Sequence, residues 1–348
     1  MNDEATASRK WEHVRIIGDD PQADRQKCFF DRIHLTHRAL PEISMADVNP
    51  SLRLLNRKLQ FPLLISPMTG GDHEVLRRVN HNLATAAEAT GVAMGVGSQR
   101  VMFTNPEARD SFELRATAPS TLLFANLGAI QLNNGFGPDH CRQAVETVGA
   151  DACYLHLNPL QEAIQPEGNT NFAKLGQKIE QVTSALDVPV AVKEVGAGIS
   201  LNDAELLVAA GVQFIDVAGS GGLSWSRIEN HRRAHTAPDQ LGLLFQDWGL
   251  PTPWALNALA TLQGKVTLFA SGGIRNGLDM VKAVILGATL CGIASPLLAP
   301  AMESADKVVA TIERLKREFR TAMFLLGAKT LDDLLGHKEL IVHADFPL

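Results

Sequence analysis

The sequence predicts an α/β fold: a closed (β/α)8 TIM barrel with an N-terminal extension and a long loop between strands six and seven. Three observations point there. Eight short apolar runs recur from residue 61 onward, helix-length stretches separate them, and glycine punctuates four of the helix ends. Near-continuous apolar strands are what a parallel sheet covered on both faces requires. Eight βα units in series with right-handed crossovers close naturally into a barrel. A doubly wound open sheet is the alternative topology.

The elements follow in order. "FPLLIS" from Phe61 precedes a helix-length stretch at 72–90, and "VAMGVG" from Val92 precedes one at 106–116. "TLLFANL" from Thr121 leads to 139–148, and "DACYLHL" from Asp151 leads to 172–186. "VPVAVKE" from Val188 is followed by 202–210, and "VQFIDVA" from Val212 by 253–262. "VTLFAS" from Val266 and "ATLCGIA" from Ala288 come before 277–286 and 304–320. Gly91, Gly149, Gly211 and Gly287 sit where a helix stops, as left-handed caps that glycine tolerates. Residues 1–60 form an N-terminal arm, and 61–348 the catalytic barrel with a C-terminal helical tail. The 219–264 link is unusually long, as lids and binding loops are.

Composition narrows the function. With 45% hydrophobic and 20% charged residues in 348, the chain reads as an ordinary globular protein. A formal net charge of −6 speaks against a general nucleic-acid binder. Four scattered cysteines without CxxC spacing suit reduced thiols and a cytoplasmic enzyme, and no apolar stretch reaches membrane-spanning length.

In a barrel the active site lies at the C-terminal strand ends. "SGGIRNG" (271–277) and "GIASP" (292–296) follow strands seven and eight, the usual phosphate position. Glycine N–H groups and a helix N-terminus suit phosphate oxygens, and no Walker, HExxH or Rossmann motif competes. FMN is the expected cofactor. Lys193, at the end of strand five, would stabilise negative charge on a reduced flavin. A strand-end lysine reaching solvent is the plain alternative. The stretch "HLNPLQEAIQPEGN" (156–169) crowds amides around few acids: Asn158, Gln161, Gln165 and Asn169 surround His156, Glu162 and Glu167.

Together "RKWEH" (9–13), "SPMTGG", "MGVGSQR", "ANLGA", "HLNPLQE", "VKEVGAGIS", "GGLSW" and "SGGIRNG" resemble the type 2 isopentenyl diphosphate isomerases across nearly the whole chain. The resemblance implies a redox-neutral 1,3-allylic proton shift, from isopentenyl diphosphate to dimethylallyl diphosphate. Reduced FMN would act as acid and base, with Mg2+ present and NADPH as reductant. It implies Gln161 and Lys193 as catalytic residues. FMN contacts are implied at Met68, Thr69, Gly70, Ser98, Asn126, Lys193, Gly272, Gly273, Ile274, Ala294 and Ser295. Substrate contacts would fall on Arg9, Lys10, Ser98, Gln99, Arg100 and Gln161, with Mg2+ on Glu162 and a homo-octamer or homotetramer as the assembly. Protonating an alkene creates cationic character on carbon, so neutral amides suit such a site better than free carboxylates. His156 is either an interior hydrogen-bonded histidine or a catalytic one.

Two rivals share the glycine loops. A 2-hydroxy-acid oxidase needs a His base with arginines after strand seven, whereas "NHRRAH" (230–235) precedes that strand. A non-catalytic flavoprotein is the other. One departure bears on it: the family usually has Thr where this chain has Leu223, which predicts weaker FMN binding.

Overall fold

The computed structural model describes residues 3–25, 27, 29–68, 70–233 and 239–346, with side chains from residue 10 onward. Eight parallel strands close into a barrel: β1 (Leu63–Ile65), β2 (Ala93–Gly95), β3 (Leu123–Gly128), β4 (Ala152–His156), β5 (Val190–Lys193), β6 (Phe214–Asp216), β7 (Thr267–Ser271) and β8 (Ala288–Ile293). Closure is made by β8 against β1, with Cys291, Gly292 and Ile293 opposite Leu63, Leu64 and Ile65. Every predicted strand is present, and the open-sheet alternative is excluded.

The two-residue period of the strands divides the core in two. Leu64, Ala93, Phe124, Tyr154, Ala191, Phe214, Phe269 and Leu290 point inward and pack together. The intervening residues, such as Leu63, Met94, Ala125 and Val192, join the larger core beneath the helices. Two positions further along the inward face, the side chains turn polar. Ser66, Asn126, His156, Lys193, Asp216 and Ser271 form a layer on top of the apolar plug. That layer is the floor of the site.

The helices follow in order, with α1 and α4 at the cavity: α1 (Asp3–Asp19), α2 (Glu74–Thr90), α3 (Pro138–Val148), α4 (Pro159–Ile164), α5 (Leu175–Ala185), α6 (Leu201–Ala209), α7 (Trp225–Arg233), α8 (Leu241–Leu244), α9 (Thr252–Leu259), α10 (Gly277–Ile285), α11 (Ser295–Glu303) and α12 (Ala305–Leu326). Gly91 and Gly149 close α2 and α3 in the left-handed conformation, at φ 66° and 65°.

Three elements differ from the sequence reading. The stretch expected as a helix at 106–116 is a 3-10 segment, Pro106–Phe112. Ser111 Oγ donates to Ala108 O three residues back and accepts from Gly71 N–H, so local side-chain bonding replaces α-helical pairing. The "NPLQEAI" stretch, read as a loop, forms α4 with Pro159 in its first turn. The C-terminal tail ends in a strand, Ile341–Ala344, paired antiparallel with Ile33–Leu35 of the arm. Elsewhere in the arm, a hairpin of Leu52–Leu54 and Arg57–Leu59 sets Leu59 against the inner core. Arm and tail are therefore stitched to each other and to the barrel.

Candidate active site

A cavity of about 270 Å³ opens above the polar layer. Its wall includes Lys10, Met68, Ser98, Arg100, Asn126, Gln161, Glu162, Lys193, Gly272, Gly273, Ile274, Ala294 and Ser295. Residues from the arm and from the C-terminal ends of all eight strands thus converge on one space. Thr69 and the Arg9 side chain lie outside the described residues. Gly70 is off the wall, and its carbonyl accepts the Lys10 ammonium at 2.5 Å.

Gln99 departs from its expected substrate contact. Its side chain is fully buried, donating to Ala144 O at 2.9 Å and accepting from Asn126 N–H at 2.9 Å. The 3-10 turn Gln99–Phe103 directs it into the core, while Ser98 and Arg100 on either side face the cavity. Lys10 also donates to Ser98 O at 2.8 Å and lies over the Phe112 ring. This cation therefore ties α1 to the first two strand-end loops.

The phosphate-like end is built from glycine. Gly272 and Gly273 have φ of 92° and 81°, and a side chain on Gly272 would run into the Gly219 carbonyl. A Cβ on Gly292 would meet Ser66 Oγ. Alongside, α11 begins without a side-chain cap at Ala294, so its first N–H groups have no capping side chain. Ser295 Oγ donates to Asp24 Oδ2 at 3.0 Å, and the Arg275 guanidinium pairs with the same carboxylate. An arm carboxylate is thus already held by groups that suit an anion. Glycine cradle, helix N-terminus, hydroxyl and guanidinium together fit the phosphate of FMN. Leu223 lines this wall and also packs against the Ile16, Ala23 and Ile228 cluster, joining the loop to α1.

The opposite wall is made of amides. Asn158, Gln161, Glu162 and Gln165 recur at helical spacing around α4, so all four reach the cavity. Glu162 accepts from Asn158 Nδ2 at 2.9 Å, Gln165 Nε2 at 2.6 Å and Asn169 N–H at 2.7 Å. Asn158 Oδ1 is buried with no hydrogen-bond partner. Among the described residues no three His, Cys, Asp or Glu cluster as metal ligands. One carboxylate with a spare amide oxygen beside it suits a hard cation that takes its other ligands from water and phosphate, as Mg2+ does.

His156 gains a definite hydrogen-bond partner. Asn126 Nδ2 donates to Val96 O at 3.0 Å, which leaves Asn126 Oδ1 as an acceptor. His156 Nδ1 lies 2.9 Å from that oxygen and carries a proton toward it, which leaves Nε2 to face the cavity side.

Sequence reasoning missed Glu229, which is fully buried on α7. Its Oε1 accepts from Gln161 Nε2 at 2.8 Å and sits 3.0 Å from His13 Nε2; its Oε2 pairs with Arg232 at 2.6 Å. Burial pushes this carboxyl up, but the His13 bond, the Arg232 charge and the Gln161 bond outweigh it and hold Glu229 down at about 2. The ionised carboxylate orients the Gln161 amide, whose oxygen then accepts from Asn158 Nδ2 at 3.3 Å. Its local partner Arg232, three residues on in α7, reads as an ordinary helical ion pair, and the partners that join it to the site, His13 of α1 and Gln161 of α4, lie far along the chain.

A closed parallel barrel with a glycine-lined loop after β7 and a buried strand-end lysine is the layout of the flavin-binding (β/α)8 class. In keeping with this, residues 142–342 match the family model described as FMN-dependent dehydrogenase. The chain is 55% identical to an isopentenyl-diphosphate delta-isomerase of Paracoccus zeaxanthinifaciens, covering 97% of this chain and 98% of that one. It is 52% identical to one of Hydrogenovibrio crunogenus (98% and 100% covered) and 46% identical to one of a Nostoc species (94% of each). The chain belongs to the isopentenyl-diphosphate delta-isomerase family. Solved structures of a Pediococcus acidilactici lactate oxidase (TM-score 0.70, 18% identical, 92% and 86% covered) and a mandelate oxidase (0.63, 21%, 89% and 87%) share the fold.

Proposed function

We infer that this chain interconverts isopentenyl diphosphate and dimethylallyl diphosphate, a step of isoprenoid biosynthesis, with FMN as cofactor. One proton is added to the terminal methylene carbon and one is removed from C2, so the double bond moves and nothing is oxidised. The observation that carries the reading is the chemistry of the amide wall. Its one carboxylate, Glu162, and Glu229 buried behind Gln161 are each occupied by hydrogen-bond donors, and the other α4 side chains on the wall are neutral amides. Such a wall positions substrate without offering a free base or nucleophile to a developing carbocation.

Reduced FMN, when bound, supplies a ring nitrogen able to give and take a proton. Lys193 lies on the floor, where its ammonium favours negative charge above it. Lys10 and Arg100 on the rim support a diphosphate clamp, with Arg9 beside Lys10 in sequence. Mg2+ on Glu162 and NADPH as the reductant complete the proposal. A homo-octamer or homotetramer is proposed with them; exposed Leu206, Leu244 and Trp248 offer apolar surface to a second copy. Among the described residues no helix is long and apolar enough to cross a membrane. Buried free Cys141, Cys153 and Cys291 support a cytoplasmic setting. The oxidase alternative gains no support: His231 is bonded to Asp20 at 2.7 Å and is not on the cavity wall.

Proton NMR of the purified protein with isopentenyl diphosphate, FMN, Mg2+ and an anaerobic reductant should reveal the second allylic methyl of the product. Reductant consumed in proportion to product would make the protein an oxidoreductase instead. Glu162→Gln should weaken Mg2+ activation roughly 30-fold, the equivalent of losing one charge-assisted contact of about 2 kcal/mol, and leave FMN titration unchanged. Unaltered Mg2+ dependence in that variant would remove Glu162 from the metal site.

A further inference from the structure

Beneath the cavity lies a buried carboxylate that the proposed chemistry leaves unused. Asp216, at the end of β6, is fully buried. In the barrel register it stands directly beside Lys193 of β5, and both side chains belong to the inward-facing polar layer. Its Oδ1 accepts from Ser271 Oγ at 2.8 Å and Ala218 N–H at 3.2 Å. Its Oδ2 has no partner. Burial pushes this carboxyl up, while the Lys193 charge and the two donors on one oxygen favour the anion; an unpartnered second oxygen in an apolar barrel is costly unless such a positive charge stands near it.

We propose that Asp216 is a positioning residue: the buried counter-charge that keeps Lys193 an ammonium under the flavin. The inference rests on the reading of the cavity as a flavin site only for what the ammonium is used for. Lys193 Nζ donates to the Glu194 carbonyl at 2.5 Å, and among the other groups around it Glu194 adds the second, smaller negative charge. Glu194, next in the chain, turns its Oε2 into a ring of N–H groups from Val195, Gly196, Ala197 and Gly198. His156, the register partner on β4, lies 2.9 Å from Asn126 Oδ1 through its Nδ1, and an imidazole supplies no negative charge. Tyr154, one layer below, is a buried phenol that burial and Asp216 together push up, and the buried Cys291 thiol on β8 is pushed up likewise. Burial pulls Lys193 down, and the charges of Asp216 and Glu194 oppose it. Removing the Asp216 charge therefore moves the lysine titration to lower pH.

The test is lysine-selective carbon-13 NMR of the full-length protein across pH 6–11, with the resonance assigned by Lys193→Met. In Asp216→Asn the Lys193 titration should move down by about 1–3 pH units, the effect of losing an opposite charge at close range. Ser271→Ala, which removes a donor rather than the charge, should move it the same way by less. An Lys193 titration unchanged in both folded variants overturns the proposal; so does one that moves upward. Failure of the protein to bind FMN, measured separately by flavin fluorescence, would instead overturn the flavin reading and leave the lysine result standing. Should Asp216→Asn not fold, the Ser271→Ala shift decides the matter.

Discussion

Gly272→Ala is expected to abolish useful FMN binding while leaving the barrel folded. The residue follows β7 at φ 92°, a conformation open to glycine and strained for alanine. The added methyl would also collide with the Gly219 carbonyl, a backbone atom that no rotamer change can move aside. The loop must shift, and its N–H groups lose their aim at the phosphate. A loss of about 3 kcal/mol corresponds to roughly a hundredfold weaker binding. Flavin fluorescence titration reads the affinity and a thermal melt reads the fold. Binding within a few-fold of the parent would mean that the phosphate is held elsewhere.

Glu229→Gln should cost both stability and turnover, with a pH signature. The substitution keeps the shape and an acceptor for Gln161 but removes the charge that Arg232 and His13 face. The carboxyl titrates at about 2 in the folded protein against about 4.5 unfolded, so its contribution is fully present above 4.5 and is lost as pH falls toward 2. That difference amounts to about 3 kcal/mol at neutral pH. Denaturant titrations should therefore show the variant less stable by that order at pH 7, with the gap closing between pH 4.5 and 2. Turnover should fall at least about tenfold, since Gln161 loses a charge-assisted acceptor, with KM changing less. A pH-independent gap would mean that the carboxylate charge is not what is lost.

The two residues differ in how far the sequence exposed them. Gly272 was legible because paired glycines after a strand carry a local meaning, whatever lies around them. The glycine caps, the eight strands and the α4 amides were legible for the same reason. Gln99, expected on the cavity with its neighbours Ser98 and Arg100, is turned into the core instead, because successive side chains of a 3-10 turn point about 120° apart and a motif of adjacent residues does not show which way each one points. The 106–116 stretch was misread because Ser111 bonds backbone groups from its own turn and from the 70–71 loop, which propensity does not register.

The sequence by itself determined the barrel, its strand order and the family, because apolar continuity and glycine placement act over a few residues. The tertiary structure alone decided the charges. Glu229 meets His13 across 216 residues of chain, and Asp24 meets Arg275 across 251. Asp216 faces Lys193 only because two strands lie side by side in register. Exposed on an unfolded chain, such carboxylates are solvated and interchangeable. Buried, each is costly unless a particular partner stands beside it, and that partner is chosen by the fold.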